Sequence, residues 1–206
     1  MTSIRNVDDA ILDAARACVE AFGVRRTTLT DVARRAGVSR PTVYRRWPDV
    51  SSLVADLLTR ELRGILAAAA VERGAVSVRE RLVGNACGVL RGLLDHPLFA
   101  KVIDHEPELL ATYAFHRLGT SQYAALDLVR PEIEAGQRDG SIRAGDPEAL
   151  ARMVLVVVQH TATSRRLTAD AMDDGLLVAE LAALLDGYLA ARSAAPVNAA
   201  TERSPR

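Results

Sequence analysis

The sequence has one lysine, Lys101, and two cysteines, Cys18 and Cys87, among its 206 residues. So few thiols exclude a disulfide framework. The two lie far apart within apolar helical patterns, without metal or redox spacing, so buried inert thiols in a reducing compartment are expected. The near-absence of lysine makes arginine almost the only cation, a bias that reads as genomic base composition and weakens any inference from arginine alone. Long apolar runs are missing too: a run such as 153–158 is far too short to cross a bilayer. The N-terminus lacks the apolar stretch of a signal peptide. A soluble, cytoplasmic protein is expected. Catalytic and metal signatures are equally scarce. His96, His105, His116 and His160 are scattered, and His105-Glu106 has no second histidine four positions after the first. No GxSxG, P-loop or GxGxxG occurs, and the acidic pairs Asp173-Asp174 and Glu132/Glu134 read as solvated helix ends. No enzyme activity, metal or cofactor is expected.

What the sequence does contain is concentrated in 28–47, TLTDVARRAGVSRPTVYRRW. Thr28 is placed as an N-cap, with Asp31 three positions on in the manner of a capping box. Leu29, Val32, Ala33 and Ala36 then give a short helix one apolar face. Gly37 follows where a helix end needs a left-handed residue, and Val38 should plug the angle to the next helix. Ser39 caps that second helix, and Pro41 falls in its first turn, where a missing N–H costs nothing. Val43 and Trp47, four apart, share the inward face. Pro41, Thr42, Tyr44 and Arg45 project outward, with Arg40 at the exposed start. This is the grammar of a helix-turn-helix whose second helix enters a DNA major groove. Arginine can fork onto guanine, while threonine and tyrosine can meet thymine or phosphate. Thr28, Thr30 and Ser39 complete the expected contact set, and Arg46, near the inward edge, is the candidate for the DNA backbone.

Charge agrees. The formal net charge is zero, but residues 1–63 hold 11 arginines against 8 carboxylates, and 24–47 hold seven against one. The rest of the chain carries the compensating acidic excess. A local basic footprint of this kind suits a phosphate backbone.

Thr27-Thr28-Leu29, Asp31-Val32-Ala33, Ala36-Gly37-Val38-Ser39 and Thr42-Val43-Tyr44, followed by Trp47 and Leu53, resemble the N-terminal domain of the tetracycline-repressor (TetR) family. The resemblance covers about 8–58. It implies a homodimeric transcriptional regulator, a C-terminal domain holding a small-molecule effector, and a four-helix bundle of the last two helices across the dimer axis. One position departs from the pattern. Where the family usually has a lysine that holds a phosphate, this chain has Val50, preceded by Asp49. Asp49 can cap the helix, but Val50 cannot attract a phosphate; the helix N–H groups and Arg45 or Arg46 would have to serve instead.

Along the rest of the chain, 8–22 reads as an amphipathic helix carrying Ile11, Ala14, Ala15, Cys18, Val19 and Phe22 on its apolar stripe, closed by Gly23. A long helix from Asp49 or Val50 to about Ala70 would connect the two regions. Further helices are predicted over 78–94, 97–104, 107–117, 120–138 (kinked or divided at Pro131), 147–164 and 175–191. The last two are apolar around much of their circumference and need cover on more than one side, which a second copy can supply. The fold class expected is therefore all-α: a three-helix DNA-binding domain (1–48), a helical effector-binding and dimerisation domain (49–192) and a disordered tail (193–206). Phe99, His105, Tyr113, Phe115, His116, Tyr123, Met153 and Gln159 are the candidate lining of an apolar effector cavity with a few polar anchors, suited to a lipophilic ligand. The function expected is a ligand-responsive repressor on a pseudo-palindromic operator. Two alternatives stay open: a DNA-binding regulator that acts without a ligand, architectural or partner-controlled, and a small-molecule-binding protein that has lost DNA affinity.

Overall fold

A computed structural model of the chain describes residues 4–70, 77–105 and 118–191. Among them are nine α-helices and no strand beyond one antiparallel bridge, Ile142 to Ala190. The predicted helix over 107–117 and the tail 193–206 lie outside the described residues.

The first three helices are α1 (Ile4–Phe22), α2 (Leu29–Ala36) and α3 (Arg40–Tyr44). Helix α1 begins four residues before the predicted start at Asp8. It buries Ile11, Ala15, Cys18 and Val19 against α2, α3 and the start of α4 (Val50–Ala68). Phe22 departs from the predicted stripe: it stands 58% exposed, past the end of the packed face. The local signals for the other helix ends hold. The Thr28 hydroxyl accepts the Asp31 N–H at 3.1 Å, and Ser39 accepts that of Thr42 at 3.3 Å. Gly37 adopts φ 67°, a conformation that a Cβ would disfavour. Its N–H reaches back to carbonyls of the last turn of α2, which fixes the angle between α2 and α3.

The remaining helices are α5 (Val78–Asp95), α6 (Pro97–His105), α7 (Thr120–Arg138), α8 (Pro147–Thr163) and α9 (Asp174–Leu189). They close a second core around Leu90, Leu126, Ile133, Val154, Leu181 and Leu185. Caps again set their starts: Ser77 and Glu80 form a reciprocal box at α5, and Asp146 and Asp173 cap α8 and α9. Pro131 neither divides nor ends α7, which runs as one element. Pro131 itself is exposed, so the carbonyl it leaves unbonded can face water, while buried Leu126 and Ile133 hold the helix on both sides of it. The two thiols are buried, and burial pushes both pKa values up.

Two helices belong to both cores. Leu53, Val54 and Leu57 of α4 pack with the first three helices, whereas its Ile65 packs in the second core. Helix α6 does the same within two turns: Leu98 and Val102 enter the first core, Phe99 the second. Nothing in the periodicity of 97–104 announced this double role.

Helices α4 and α5 approach closely at Gly92, where a Cβ would come within 2.6 Å of Ile65 Cγ2. Gly92→Val should therefore overpack the crossing and destabilise the protein by about 1–3 kcal/mol, seen as a lower urea midpoint with an unchanged slope.

Candidate nucleic-acid interface and ligand cavity

Helix α3 is short, but its turn continues through Arg45 and Arg46, because the N–H groups of Arg45, Arg46 and Trp47 bond to the carbonyls of Pro41 and Val43. Val43 and Trp47 are buried, as their spacing predicts. Arg40, Pro41, Tyr44 and Arg45 are exposed, with Ser39 and Thr28 beside them, while Thr30 and Thr42 are half-buried. The hydroxyls of Ser39 and Thr42 bond to each other at 2.7 Å, so they would reach a nucleic acid as a linked pair. Arg40 and Arg45 make no ion pair with a described residue and are free to engage phosphate or a guanine edge. Arg46 differs: its guanidinium pairs with Asp8 of α1. It serves the packing of α1 on the helix-turn-helix and would have to leave Asp8 to reach a DNA backbone.

At the start of α4 the Asp49 carboxylate accepts the Ser52 N–H at 2.7 Å. A negative charge already satisfies that helix end. With Val50 half-buried and uncharged beside it, this helix start cannot attract a phosphate as a lysine there would.

The first and second cores are joined by a clasp of charge on α1, α4 and α6. Glu61 Oε2 accepts from Arg16 at 3.0 Å and lies 3.3 Å from His96 Nε2, while Oε1 takes Arg60 at 2.7 Å. Arg60 also holds Asp13 of α1 at 2.8 Å. Lys101 of α6 donates to the Glu20 carbonyl near the end of α1 at 2.6 Å. Glu61 is 10% exposed, so these partners replace water around a largely desolvated carboxylate.

Behind the clasp lies a cavity of about 230 Å³ between α4 and helices α6, α7 and α8. Leu62, Leu66, Phe99, Ile103 and Leu155 make it apolar, and Thr59, Gln122, Gln159 and Thr163 supply neutral polar groups. A second cavity of about 330 Å³ shares Leu66, Val89, Ala125, Leu155 and Val158 with it, and Arg81, Asn85 and Glu132 stand in its wall. The Gln122 amide bonds to Gln159 Oε1 and its carbonyl oxygen accepts the Gly119 N–H.

Of the predicted lining, Phe99 and Gln159 face this space. Tyr123 and Met153 do not: they are 53% and 44% exposed on the outer faces of α7 and α8. Periodicity alone could not tell which apolar side of each helix turns inward. Tyr113, Phe115 and His116 lie outside the described residues, as does the side chain of His105. Residues missed from the sequence are Asp56, Thr59 and Gln122 in the cavity wall and Glu61 with His96 in the clasp. Gln122 was the accessible one, a buried amide on a mainly apolar helical face.

A family model described as bacterial regulatory proteins, tetR family, matches residues 11–57. An HTH-type transcriptional regulator of Mycobacterium tuberculosis is 41% identical over 179 residues, covering 87% of this chain and 92% of the relative. In solved structures the fold resembles the transcriptional repressor QsdR of Rhodococcus erythropolis, with TM-score 0.65 and 16% identity over 93% of this chain and 98% of that one. It also resembles the fatty acid degradation regulator FadR of Bacillus halodurans, with TM-score 0.64 and 21% identity over 90% and 97%.

The clasp makes a measurable demand on stability. Glu61→Gln keeps the shape but removes the charge that gathers Arg16, Arg60 and His96, and should cost about 1–3 kcal/mol, read as a lower urea midpoint. No change would mean that Glu20 and Asp13 hold the two arginines unaided.

Proposed function

The chain belongs to the TetR family of bacterial transcriptional regulators, and on that premise we propose that it is a dimeric, ligand-responsive repressor of a pseudo-palindromic operator. The observation that carries the DNA-contacting role is the split of α3: Val43 and Trp47 buried, Arg40, Tyr44 and Arg45 outward and free of acidic partners. Arg40 and Arg45 read or grip the groove, while Thr28, Thr30, Pro41 and the Ser39–Thr42 pair position the helix.

Dimerisation is supported by the faces that α8 and α9 leave open. Met153 and Val156 on α8 are exposed, as are Leu176 and Leu184 on α9. Ala179, Ala183 and Gly187 lie exposed on the same side of α9, and small residues at four-residue spacing let a second helix approach closely. A twin bound there doubles the DNA site, provided the two α3 helices stand roughly 34–36 Å apart, one turn of duplex. A dimer seated on an operator excludes other proteins by occupancy alone, so repression requires no further surface.

The proposed effector is a lipophilic small molecule in the cavity behind α4. It releases the operator by preferring a domain arrangement in which the α3 helices no longer match successive grooves, and it shifts the balance only by that difference in affinity.

Arg40→Ala and Arg45→Ala should each weaken binding to the chain's own upstream DNA by about 1–3 kcal/mol at fixed salt if they contact guanine. Fluorescence anisotropy of labelled DNA measures this. Binding unchanged in both variants would remove α3 from the interface. Absence of salt-dependent binding in the unaltered protein would leave the reading of a small-molecule binder without DNA affinity, toward which Asp49 and Val50 point.

A further inference from the structure

Asp56 stands at an unusual crossing. It lies in the wall of the 230 Å³ cavity and is the one charged side chain among that wall's described residues. Its Oδ2 also accepts the indole N–H of Trp47 at 2.8 Å. Trp47 is buried in the first core, and its backbone N–H closes the turn that follows α3 by bonding to Val43. Asp56 is exposed, and among the described residues no cation pairs with it, so besides water the neutral indole is the one partner of its charge. A single carboxylate thus touches both the ligand space and the last residue of the DNA-reading segment.

Two consequences follow from charge and hydrogen-bond strength. A ligand whose apolar body fills the Leu62, Phe99, Ile103 and Leu155 region gains at Asp56 if its head is an ammonium and loses if its head is a carboxylate. A full positive charge attracts a carboxylate more strongly than the dipole of a neutral indole N–H does, so such a head competes with the indole for Asp56. The Trp47 N–H then loses its acceptor at a part-buried site, which favours a shift of the end of the α3 segment. We propose that Asp56 is the headgroup-recognising residue of the cavity, that its ligand is an amphiphilic amine, and that taking this carboxylate from Trp47 is how the ligand reaches the DNA-reading helix. The coupling to DNA rests on the reading of the chain as a ligand-responsive regulator; the headgroup assignment does not.

Trp47 is the only tryptophan in the chain, so its emission reports its own hydrogen bond. Octylamine, 1-octanol and octanoate share one apolar body and differ in the head. Titrated into the full chain, with binding followed by calorimetry, octylamine should bind about tenfold more tightly than 1-octanol, and octanoate more weakly than either. Octylamine alone should shift the Trp47 emission. In Asp56→Asn the preference for the amine should fall to within about twofold while 1-octanol still binds, which also shows that the variant is folded. Equal affinity for octylamine and 1-octanol in the unaltered chain, or a preference that survives in Asp56→Asn, overturns the assignment without reference to any variant's stability. The DNA arm is separate. Octylamine should lower operator affinity about tenfold in the unaltered chain and not in Trp47→Phe, which keeps an aromatic ring but has no N–H. An amine preference with operator affinity unmoved overturns the coupling through Trp47 and leaves the headgroup role standing. If the ligand-free protein binds no DNA, the regulator reading fails, and the calorimetry and emission still decide the headgroup.

Discussion

The structure depends on apolar burial that is shared rather than divided. Helix α6 sends Leu98 and Val102 into the core beneath the helix-turn-helix and Phe99 into the core of the larger helical region. Helix α4 spans the same two cores along its length. A three-helix unit of this size has little apolar surface to bury by itself, and here its core is completed by side chains from a helix more than forty positions further along the chain. The unit that faces DNA is therefore not a bead on a string. Its floor is also the wall of a cavity.

That sharing explains why the polar groups sit where they do. The clasp of Glu61 with Arg16, Arg60 and His96 lies where α1, α4 and α6 meet, and His96 stacks edge-on against Phe99 with ring centroids 5.4 Å apart. Phe99 in turn lines the cavity. A change in cavity shape is felt at Phe99 and along α4 before anything further away, because packed interiors transmit strain instead of absorbing it. The route to α3 is short: α4 carries both the lining residues and the acceptor of the Trp47 indole.

Much of this was legible in the sequence where the determinants are local. Thr28, Gly37, Ser39, Asp49 and Asp146 marked helix ends because a cap is chemistry between residues two or three apart, and each does so in the structure. The inward pair Val43 and Trp47 followed from helical spacing. Where burial is decided by distant partners, the sequence was silent or misleading. Phe22 falls on the right stripe but beyond the neighbour that would cover it. Pro131 reads as a break, yet tertiary packing carries α7 through it. Tyr123 and Met153 are expected in the cavity lining because their helices should surround the domain centre, but that placement gives no bearing on which face of each helix turns inward. Asp56 and Trp47, nine positions apart on separate elements, have no sequence pattern that joins them.

A floor shared between the two cores makes the DNA-facing unit and α6 one cooperative body. Native-state hydrogen exchange across a denaturant series reads this directly, since amides that open together share one free energy and one denaturant dependence. Buried-helix amides over 43–47, 53–57 and 98–102 should converge on a single opening isotherm. If residues 11–47 instead open at distinctly lower free energy while 98–102 stay protected with the second core, the unit is held separately and no shared floor links the cavity to α3.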